Sequence, residues 1–277
     1  MGLSDREMKL DINHLVKKFN SLTAVNDFSA SFDKGCYGIL GKNGSGKTTI
    51  FRCITGFYSY KGEIKKKRNI SIGYLPQKSG VLNGLTVYEN MEFFAELRKY
   101  PNENRQNAII ESLKYVNMEE NTKLKGKALS GGMKRRLGIA ETILGNPEII
   151  LFDEPTSGLD PEERLRFKKL IRRLKENSVV IISTHIIEDV EAVADKVIVI
   201  DEGMKLFSGT VDELEKRASG KVFEISSSDV QDVDYVVKEY ERDGRIISRI
   251  LTNRIVKDNY KADENIEDGY LCCIKRI

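Results

Sequence analysis

Short apolar segments alternate with helical patterns along most of the chain. Segments of strand length with apolar cores lie at residues 9–14, 37–40, 70–75, 149–152, 179–183 and 197–201. Between them, apolar residues recur at helical spacing in residues 47–55, 87–99, 105–116, 131–144, 161–176 and 186–194. Apolar strands that alternate with helices are typical of a buried, largely parallel sheet covered by helices. The pattern predicts an α/β core.

Two regions depart from this alternation. Residues 85–145 carry helical periodicity without an intervening strand, so we expect a helical subdomain inserted into the core. Beyond residue 219 the strand-like runs VFEIS, RIISRIL and YLCCI surround a charged helical stretch near residues 232–242. We therefore predict a main domain at 1–219 and a small α+β extension at 220–277. The role of the extension stays open between regulation, dimerisation and capping of the fold.

Composition narrows the class of protein. A formal net charge of +3 over 277 residues argues against a nucleic-acid partner held by charge. No run approaches the ~18–20 apolar residues that span a bilayer, and the first residues lack an apolar signal core, so we expect a cytosolic chain. The four cysteines show no metal spacing and are interpreted as buried free thiols, with Cys272 and Cys273 on a strand.

A glycine-rich loop is the first candidate site. Residues 41–48 read GKNGSGKT, follow an apolar strand and open a helix, which is the context that a phosphate-binding P-loop requires. Backbone N–H groups would surround phosphate oxygens, Lys47 would supply a positive charge, and the Thr48 hydroxyl can ligate Mg²⁺. A chance glycine-rich turn is the weaker alternative. The candidate binding residues are Gly41, Asn43, Gly44, Ser45, Gly46, Lys47, Thr48 and Thr49.

Polar residues follow three further strands. Asp153, at the end of an apolar strand, is placed to hold Mg²⁺ through water, and Glu154 can orient or deprotonate an attacking water. Gln77 could contact Mg²⁺ or that water, and His185 could bond the γ-phosphate. Each alone could be a solvated or structural side chain. Together they predict that four strand ends converge on one point, the edge where open α/β sheets bind ligands.

A second helix start also suits an anion. In LSGGMKRRLGIAE, residues 129–141, Ser130 can cap a helix whose one face carries Met133, Leu137 and Ala140. Gly131 and Gly132 leave its first N–H groups accessible to another molecule.

The P-loop, Gln77, LSGG, DEP, SGLD and STH occur in an order that closely resembles the ATP-binding cassette family over about residues 8–215. The resemblance implies ATP and Mg²⁺ as ligands and a P-loop NTPase core with N-terminal antiparallel β elements. It assigns Mg²⁺ to Thr48, Gln77 and Asp153, and catalysis to Lys47, Gln77, Glu154 and His185. It places Phe19 against adenine and makes Asp160 the acid of the SGLD loop.

In the family, two cassettes pair head-to-tail, and LSGG of one caps the γ-phosphate held by the other. The resemblance therefore implies a homodimer, or a heterodimer with a second cassette, in which Ser130 and Gly132 of one chain cap the γ-phosphate bound by the other. Gly131 and Asp160 are further candidate nucleotide-binding residues. Met133 replaces the usual glutamine after LSGG, and a thioether is a poor hydrogen-bond partner. Because Ser130 and the backbone donors remain, we expect activity to survive. Whether Lys42 faces phosphate or solvent stays open.

The segments LTVYENMEFF, LSGGMKRRL and ENIEDGYL resemble the drug-, antibiotic- and polysaccharide-exporter ATPases. This implies a separate multi-span permease, a peripheral position on the cytoplasmic face of the membrane, and export driven through the Gln77 region and a groove in the helical insert. The basic run at 65–68 is a solvated hairpin edge or a lipid head-group contact. The alternatives are a soluble cassette acting on ribosome or nucleic acid, and a regulator with little turnover.

Overall fold

An antiparallel sheet forms the first layer of the computed structural model, which describes residues 10–78, 80–257 and 260–277. Strand β1 (Leu10–Phe19) pairs with β2 (Leu22–Phe32) and with β4 (Lys61–Lys66). The sequence indicates β1 only for residues 9–14, and residue 9 lies outside the described part. The sequence pattern did not predict strand β2, because register shifts in its pairing with β1 interrupt the alternation of apolar and polar residues.

The central sheet has six strands in the order β5-β6-β7-β3-β8-β9. All neighbours are parallel except the last pair, which is antiparallel. Residues of β3, β6 and β7 are buried at every position, which explains their uninterrupted apolar sequences. The strands are β3 (Gly35–Leu40), β5 (Ile72–Leu75), β6 (Ile149–Asp153), β7 (Val179–Thr184), β8 (Lys196–Asp201) and β9 (Met204–Gly209).

Helices cover this sheet and form the predicted insert. Helix α1 (Lys47–Ile54) follows β3, and α5 (Pro161–Leu174) and α6 (Ile187–Glu191) follow β6 and β7. The insert consists of α2 (Val87–Leu97), α3 (Asn102–Tyr115) and α4 (Gly131–Ile143), with Thr86 and Glu89 forming a capping box at the start of α2. Its core joins that of the sheet, since Met91, Leu113 and Leu137 belong to the same buried cluster as Phe152. No helix in the described ranges is long and apolar enough to span a membrane.

The C-terminal extension has a different structure from the predicted one. The stretch predicted as helical near 232–242 is strand β11 (Tyr235–Arg242), and YLCCI, predicted as a strand, lies in helix α8 (Ile266–Lys275). Strands β10 (Val222–Ser226), β12 (Arg245–Leu251) and β11 form an antiparallel sheet in that order, after helix α7 (Val211–Glu215).

Local signals explain both corrections. Asp243 and Gly244 have φ of 53° and 72°, so this pair makes the tight turn that joins β11 to β12. Asn265 caps α8 by accepting from the Asp268 N–H, while the Asp268 carboxylate accepts from the Asn265 N–H. Helix α8 buries Ile266 against the back of the central sheet. All four cysteines are free and buried, as expected, although two of them lie on α8 rather than on a strand.

Candidate nucleotide-binding and catalytic site

The loop between β3 and α1 is shaped by glycines. Gly46 has φ of 108° and precedes the first turn of α1, and a Cβ there would lie 2.4 Å from the Ala24 carbonyl oxygen. At Gly41 a Cβ would lie 2.3 Å from the Ile200 carbonyl oxygen. Neither position has space for a side chain, so only glycine fits the loop at these two points. Lys42 is exposed and is absent from the lining of the cleft, which leaves it on the solvent side.

The cleft in front of this loop has a volume of about 480 Å³. The structure brings most of the predicted residues to its wall. Gly41 and Ser45 belong to the same loop and are buried behind it. Leu22 and Ala24 also line the cleft, and the sequence did not indicate them. The lining residues are Phe19, Leu22, Ala24, Asn43, Gly44, Gly46, Lys47, Thr48, Thr49, Gln77 and Glu154.

Lys47 is held inside the loop. Its ammonium group donates to the carbonyl oxygens of Gly41 at 2.7 Å and Lys42 at 2.9 Å. It also lies 3.5 Å from Glu154 Oε1, with both side chains only 6% exposed. Burial lowers the pKa of Lys47, and the charges of Glu154 and Asp153 oppose that shift. The geometry keeps a positive charge at the floor of the cleft.

Asp153 ends β6 and is fully buried. Its Oδ1 accepts from the Ser183 hydroxyl at 2.5 Å, and its Oδ2 accepts from the Thr48 hydroxyl at 2.8 Å. The Tyr74 hydroxyl donates to the same Oδ2 at 3.4 Å. Burial, and after it the charge of Asp153, raises the pKa of Tyr74 to about 12, so Tyr74 stays a donor at neutral pH. The structure thus brings Thr48 and Asp153, both predicted to hold Mg²⁺, into direct contact.

Glu154 occupies a strained backbone conformation. Its φ of 49° is uncommon for a residue other than glycine and is typical of functional sites. The side chain is buried, and its Oε2 lies 2.8 Å from Nδ1 of His185. Its Oε1 has no hydrogen-bond partner, and the same is true of the buried Ser45 hydroxyl. These two buried oxygen atoms make no hydrogen bond within the chain, as expected at a place where a ligand binds.

A buried arginine that the sequence did not indicate ties the site together. Arg135, on α4, donates to five backbone carbonyl oxygens at 2.8–3.2 Å, and burial lowers its pKa to about 10. The bonds connect the Gln77 loop to the residues after β6. Arg135 lies outside the apolar stripe of α4, so periodicity could not single it out. The accepting residues are Pro76, Gln77, Asp153, Glu154 and Pro155.

The LSGG residues and Asp160 do not line this cleft. Ser130 is exposed and caps α4, its hydroxyl accepting from the Met133 N–H at 3.2 Å. A Cβ on Gly131 or Gly132 would meet nothing within 4 Å, so the start of α4 is open. Asp160 caps α5 by accepting from the Glu163 N–H at 2.9 Å.

A glycine loop around a helix start, a buried lysine and a paired threonine and aspartate define a P-loop nucleotide-binding protein. The chain matches the family model described as ABC transporter over residues 25–157. It is 34% identical over 225 residues to the uncharacterized ABC transporter ATP-binding protein YxlF of Bacillus subtilis, covering 78% of this chain and 76% of the relative. The chain belongs to the ABC transporter family as an ATP-binding subunit that hydrolyses ATP.

Other relatives carry names linked to export and resistance. The linearmycin resistance ATP-binding protein LnrL of Bacillus subtilis is 32% identical over 224 residues, which cover 76% of this chain and 72% of the relative. The Nod factor export ATP-binding protein I of Bradyrhizobium diazoefficiens is 30% identical over 249 residues, with coverage of 85% and 81%.

Solved structures share the fold. An ATP-binding subunit of an ABC transporter matches with a TM-score of 0.69 and 22% identity, over 76% of this chain and 92% of that one. A dimeric bacterial ABC transporter cassette matches with a TM-score of 0.66 and 24% identity, over 73% and 98%. The predicted fold class is confirmed.

Proposed function

We propose that this chain powers export through a separate multi-span permease, as a head-to-tail pair of cassettes on the cytoplasmic face of the membrane. The observation that carries the pairing is the open start of α4. Ser130, Gly131 and Gly132 offer a capped helix N-terminus suited to an anion, yet none of them lines the cleft of their own chain. The names of the relatives favour export.

Within one chain, Phe19 would stack on adenine and the loop N–H groups with Lys47 would hold the phosphates. Glu154 would orient the attacking water and take its proton, with His185 fixing the carboxylate. The residues fit Mg²⁺, because the Thr48 hydroxyl and the Asp153 carboxylate present adjacent hard oxygen atoms, and Gln77 lines the same cleft. When bound, Mg²⁺ would neutralise charge on the phosphates.

Across the pair, Ser130, Gly131 and Gly132 of one cassette would cap the γ-phosphate bound by the other, and Asp160 would lie at that interface. After hydrolysis those contacts are lost and the pair can open, which makes ATP a switch between two states. One chain carries half of each site, so it is incomplete alone.

A groove between α1, the Gln77 loop and the insert is the proposed docking site for the permease. It has a volume of about 670 Å³. Phe57 and Leu97, exposed by 74% and 63%, lie in its wall, and two such apolar side chains on one surface are typical of a partner interface. Its floor includes Glu141, which is 5% exposed and has one carboxylate oxygen without a partner.

The test uses tagged Glu154→Gln protein in its native cells, extracted in mild detergent with Mg-ATP. Slowed hydrolysis should trap the paired state, so we expect a dimer and a stoichiometric protein with several membrane spans to co-purify. Lys47→Ala is the control, because it removes the charge that holds the phosphates and should remain monomeric. Ribosomal or DNA-repair proteins in place of a membrane partner, or a monomer with Mg-ATP, would overturn the proposal.

A further inference from the structure

The docking groove and the nucleotide cleft share a wall. Three polar or aromatic side chains of that wall, Arg52, Tyr58 and Tyr74, line the groove. None of them lines the cleft, but Tyr58 contacts Phe19, which does, and Tyr74 bonds the buried Asp153 behind it. None of the three belongs to the Gln77 loop, whose carbonyl oxygen accepts from Arg135, although Tyr74 lies on β5 just before that loop.

Tyr58 contacts the ring proposed to bind adenine. The Phe19 and Tyr58 rings meet edge to face, with centroids 5.1 Å apart and planes at 79°. The ammonium group of Lys17 lies 4.9 Å from the Phe19 centroid and 5.2 Å from that of Tyr58. Phe19 is 37% exposed. Tyr58 and Lys17 contact its ring, and these contacts fix the orientation of the ring.

Tyr74 reaches the opposite end of the nucleotide site. Its hydroxyl donates to Oδ2 of Asp153, the atom that also accepts from Thr48. Phe51, on α1, packs edge to face against the Tyr74 ring with centroids 6.2 Å apart. Tyr74 thus fixes the carboxylate proposed to hold Mg²⁺ while its own ring forms part of the groove.

Arg52 bonds one of the two tyrosines and lines the same groove as the other. Its guanidinium donates to the Tyr58 hydroxyl at 2.6 Å and lies over the Tyr58 ring at 5.5 Å. The interaction with Tyr58, the larger effect, and that with Tyr74 together raise the pKa of Arg52. The residue is exposed to the groove, where a bound segment can contact it.

We propose that Arg52, Tyr58 and Tyr74 are positioning residues that link the groove to both ends of the bound nucleotide, independently of the Gln77 loop. A segment that moves Arg52 changes the orientation of Phe19 through Tyr58, and a segment that moves Tyr74 changes that of Asp153. The linkage is reciprocal, so nucleotide binding changes the affinity of the groove for its occupant by the same factor. Only the identity of that occupant, a permease segment, rests on the proposed function.

The first experiment measures binding of ADP and of pyrophosphate by calorimetry in the isolated full chain, at several Mg²⁺ concentrations. Tyr58→Leu should weaken ADP about fivefold and leave pyrophosphate within about twofold, because only ADP carries a purine. Tyr74→Phe should shift the Mg²⁺ dependence of both ligands about equally. Arg52→Met should weaken ADP in the same way as Tyr58→Leu, and Arg52→Lys should recover part of that affinity. Arg166→Met, which removes an exposed guanidinium paired with Glu162 and Glu163, is the matched control and should change neither.

The second experiment perturbs the groove itself. Since the four native thiols are buried, Phe57→Cys provides a single accessible thiol for a bulky maleimide. The adduct should change ADP affinity about threefold or more, and combination with Arg52→Met should abolish that change. An adduct without effect, an equal effect in both backgrounds, or equal weakening of ADP and pyrophosphate by Tyr58→Leu would overturn the linkage. These outcomes do not depend on co-purification of a permease, so either proposal can fail alone.

Discussion

The nucleotide cleft and the docking groove lie side by side but are built differently. The cleft is lined by backbone and by side chains that their own chain holds in place, such as Lys47 between two carbonyl oxygens. The groove has an aromatic and aliphatic wall and a buried carboxyl group, Glu141, near Arg98. The cleft suits a small anion, whereas the groove presents exposed apolar side chains and a carboxyl oxygen without a hydrogen-bond partner.

Each region contains a buried carboxylate oxygen without a hydrogen-bond partner, but the surroundings of the two oxygens differ. In the cleft, Glu154 Oε1 lies 3.5 Å from the Lys47 ammonium nitrogen, while Oε2 of the same carboxylate lies 2.8 Å from Nδ1 of His185. In the groove, burial raises the pKa of Glu141 to about 8, with the charge of Arg98 only partly opposing it. Glu154 lies next to groups that can take part in proton transfer. Ionising the buried Glu141 carboxyl group costs free energy until a partner group binds it.

The largest expected effect concerns the chemistry of the cleft. Glu154→Gln should lower ATP turnover by about a hundred- to a thousandfold, because the amide cannot accept the proton of the attacking water. Phosphate release measures the rate, and calorimetry should show that ATP still binds. If turnover fell less than about threefold, Glu154 would not be the base, and the contrast between the two carboxylates would be lost.

The second effect concerns the frame of the cleft. Arg135→Met should lower the free energy of unfolding by about 3 kcal/mol, because five carbonyl oxygens lose a buried, charged donor. Denaturant titration measures this loss. The exposed Arg166→Met should cost less than about 1 kcal/mol. Equal losses of unfolding free energy in the two variants would show that the Arg135 hydrogen bonds stabilise the cleft no more than a surface ion pair does.

A pH-dependent effect, smaller for each pH unit, tests the groove. Below pH 4.5, the ordinary pKa of a glutamate, Glu141 is protonated in folded and unfolded chains alike. Between pH 4.5 and about 8 the unfolded chain releases this proton while the folded chain retains it, so stability falls by about 1.4 kcal/mol per pH unit, and above that it levels off.

Glu141→Gln removes this titration. The melting temperature of the variant should therefore rise relative to that of the native protein as pH increases from 4.5 to 8. Parallel melting curves across this range would mean that Glu141 is already ionised and partnered, and that the groove needs no further contact there.

The smallest effect is expected at Met133. Its side chain is half-buried and packs against the core of the insert, while its N–H bonds Ser130. Met133→Gln restores the usual family residue, but turnover should change by less than about threefold, because the donors of the helix start are backbone groups. Steady-state rates measure the turnover. An increase in turnover above tenfold would show that the glutamine side chain contributes directly to hydrolysis.

The cleft could be predicted from the sequence because its residues occupy fixed positions at strand ends. Asp153 and His185 follow apolar strands, and parallel strands bring their carboxyl ends to one edge. A groove in the helical insert was expected from the resemblance, but its lining could not be predicted, because Tyr58, Tyr74 and Glu141 come from separate elements whose contact depends on tertiary packing. The role of Arg135 was not predicted for the same reason, because its five partners are backbone carbonyl oxygens, which leave no pattern in the sequence.

The C-terminal errors have a local cause. The charged residues of β11 favour a helix, but pairing with β12 through the Asp243–Gly244 turn overrides that propensity. In α8, the apolar run YLCCI suggested a strand, although the capping pair Asn265 and Asp268 just before it marks a helix start. Capping and turn signals here carried more information than the hydrophobic runs.

The position of α8 has a consequence for how the protein is made. Ile266 and Cys273 complete a buried cluster that also contains Leu40, the last residue of the strand before the P-loop, together with Val197 and Leu214. A ribosome releases Leu40 long before it releases Ile266. The surface of β8 and β9 that α8 covers therefore stays exposed until α8 emerges, whereas α6 can cover β3 earlier.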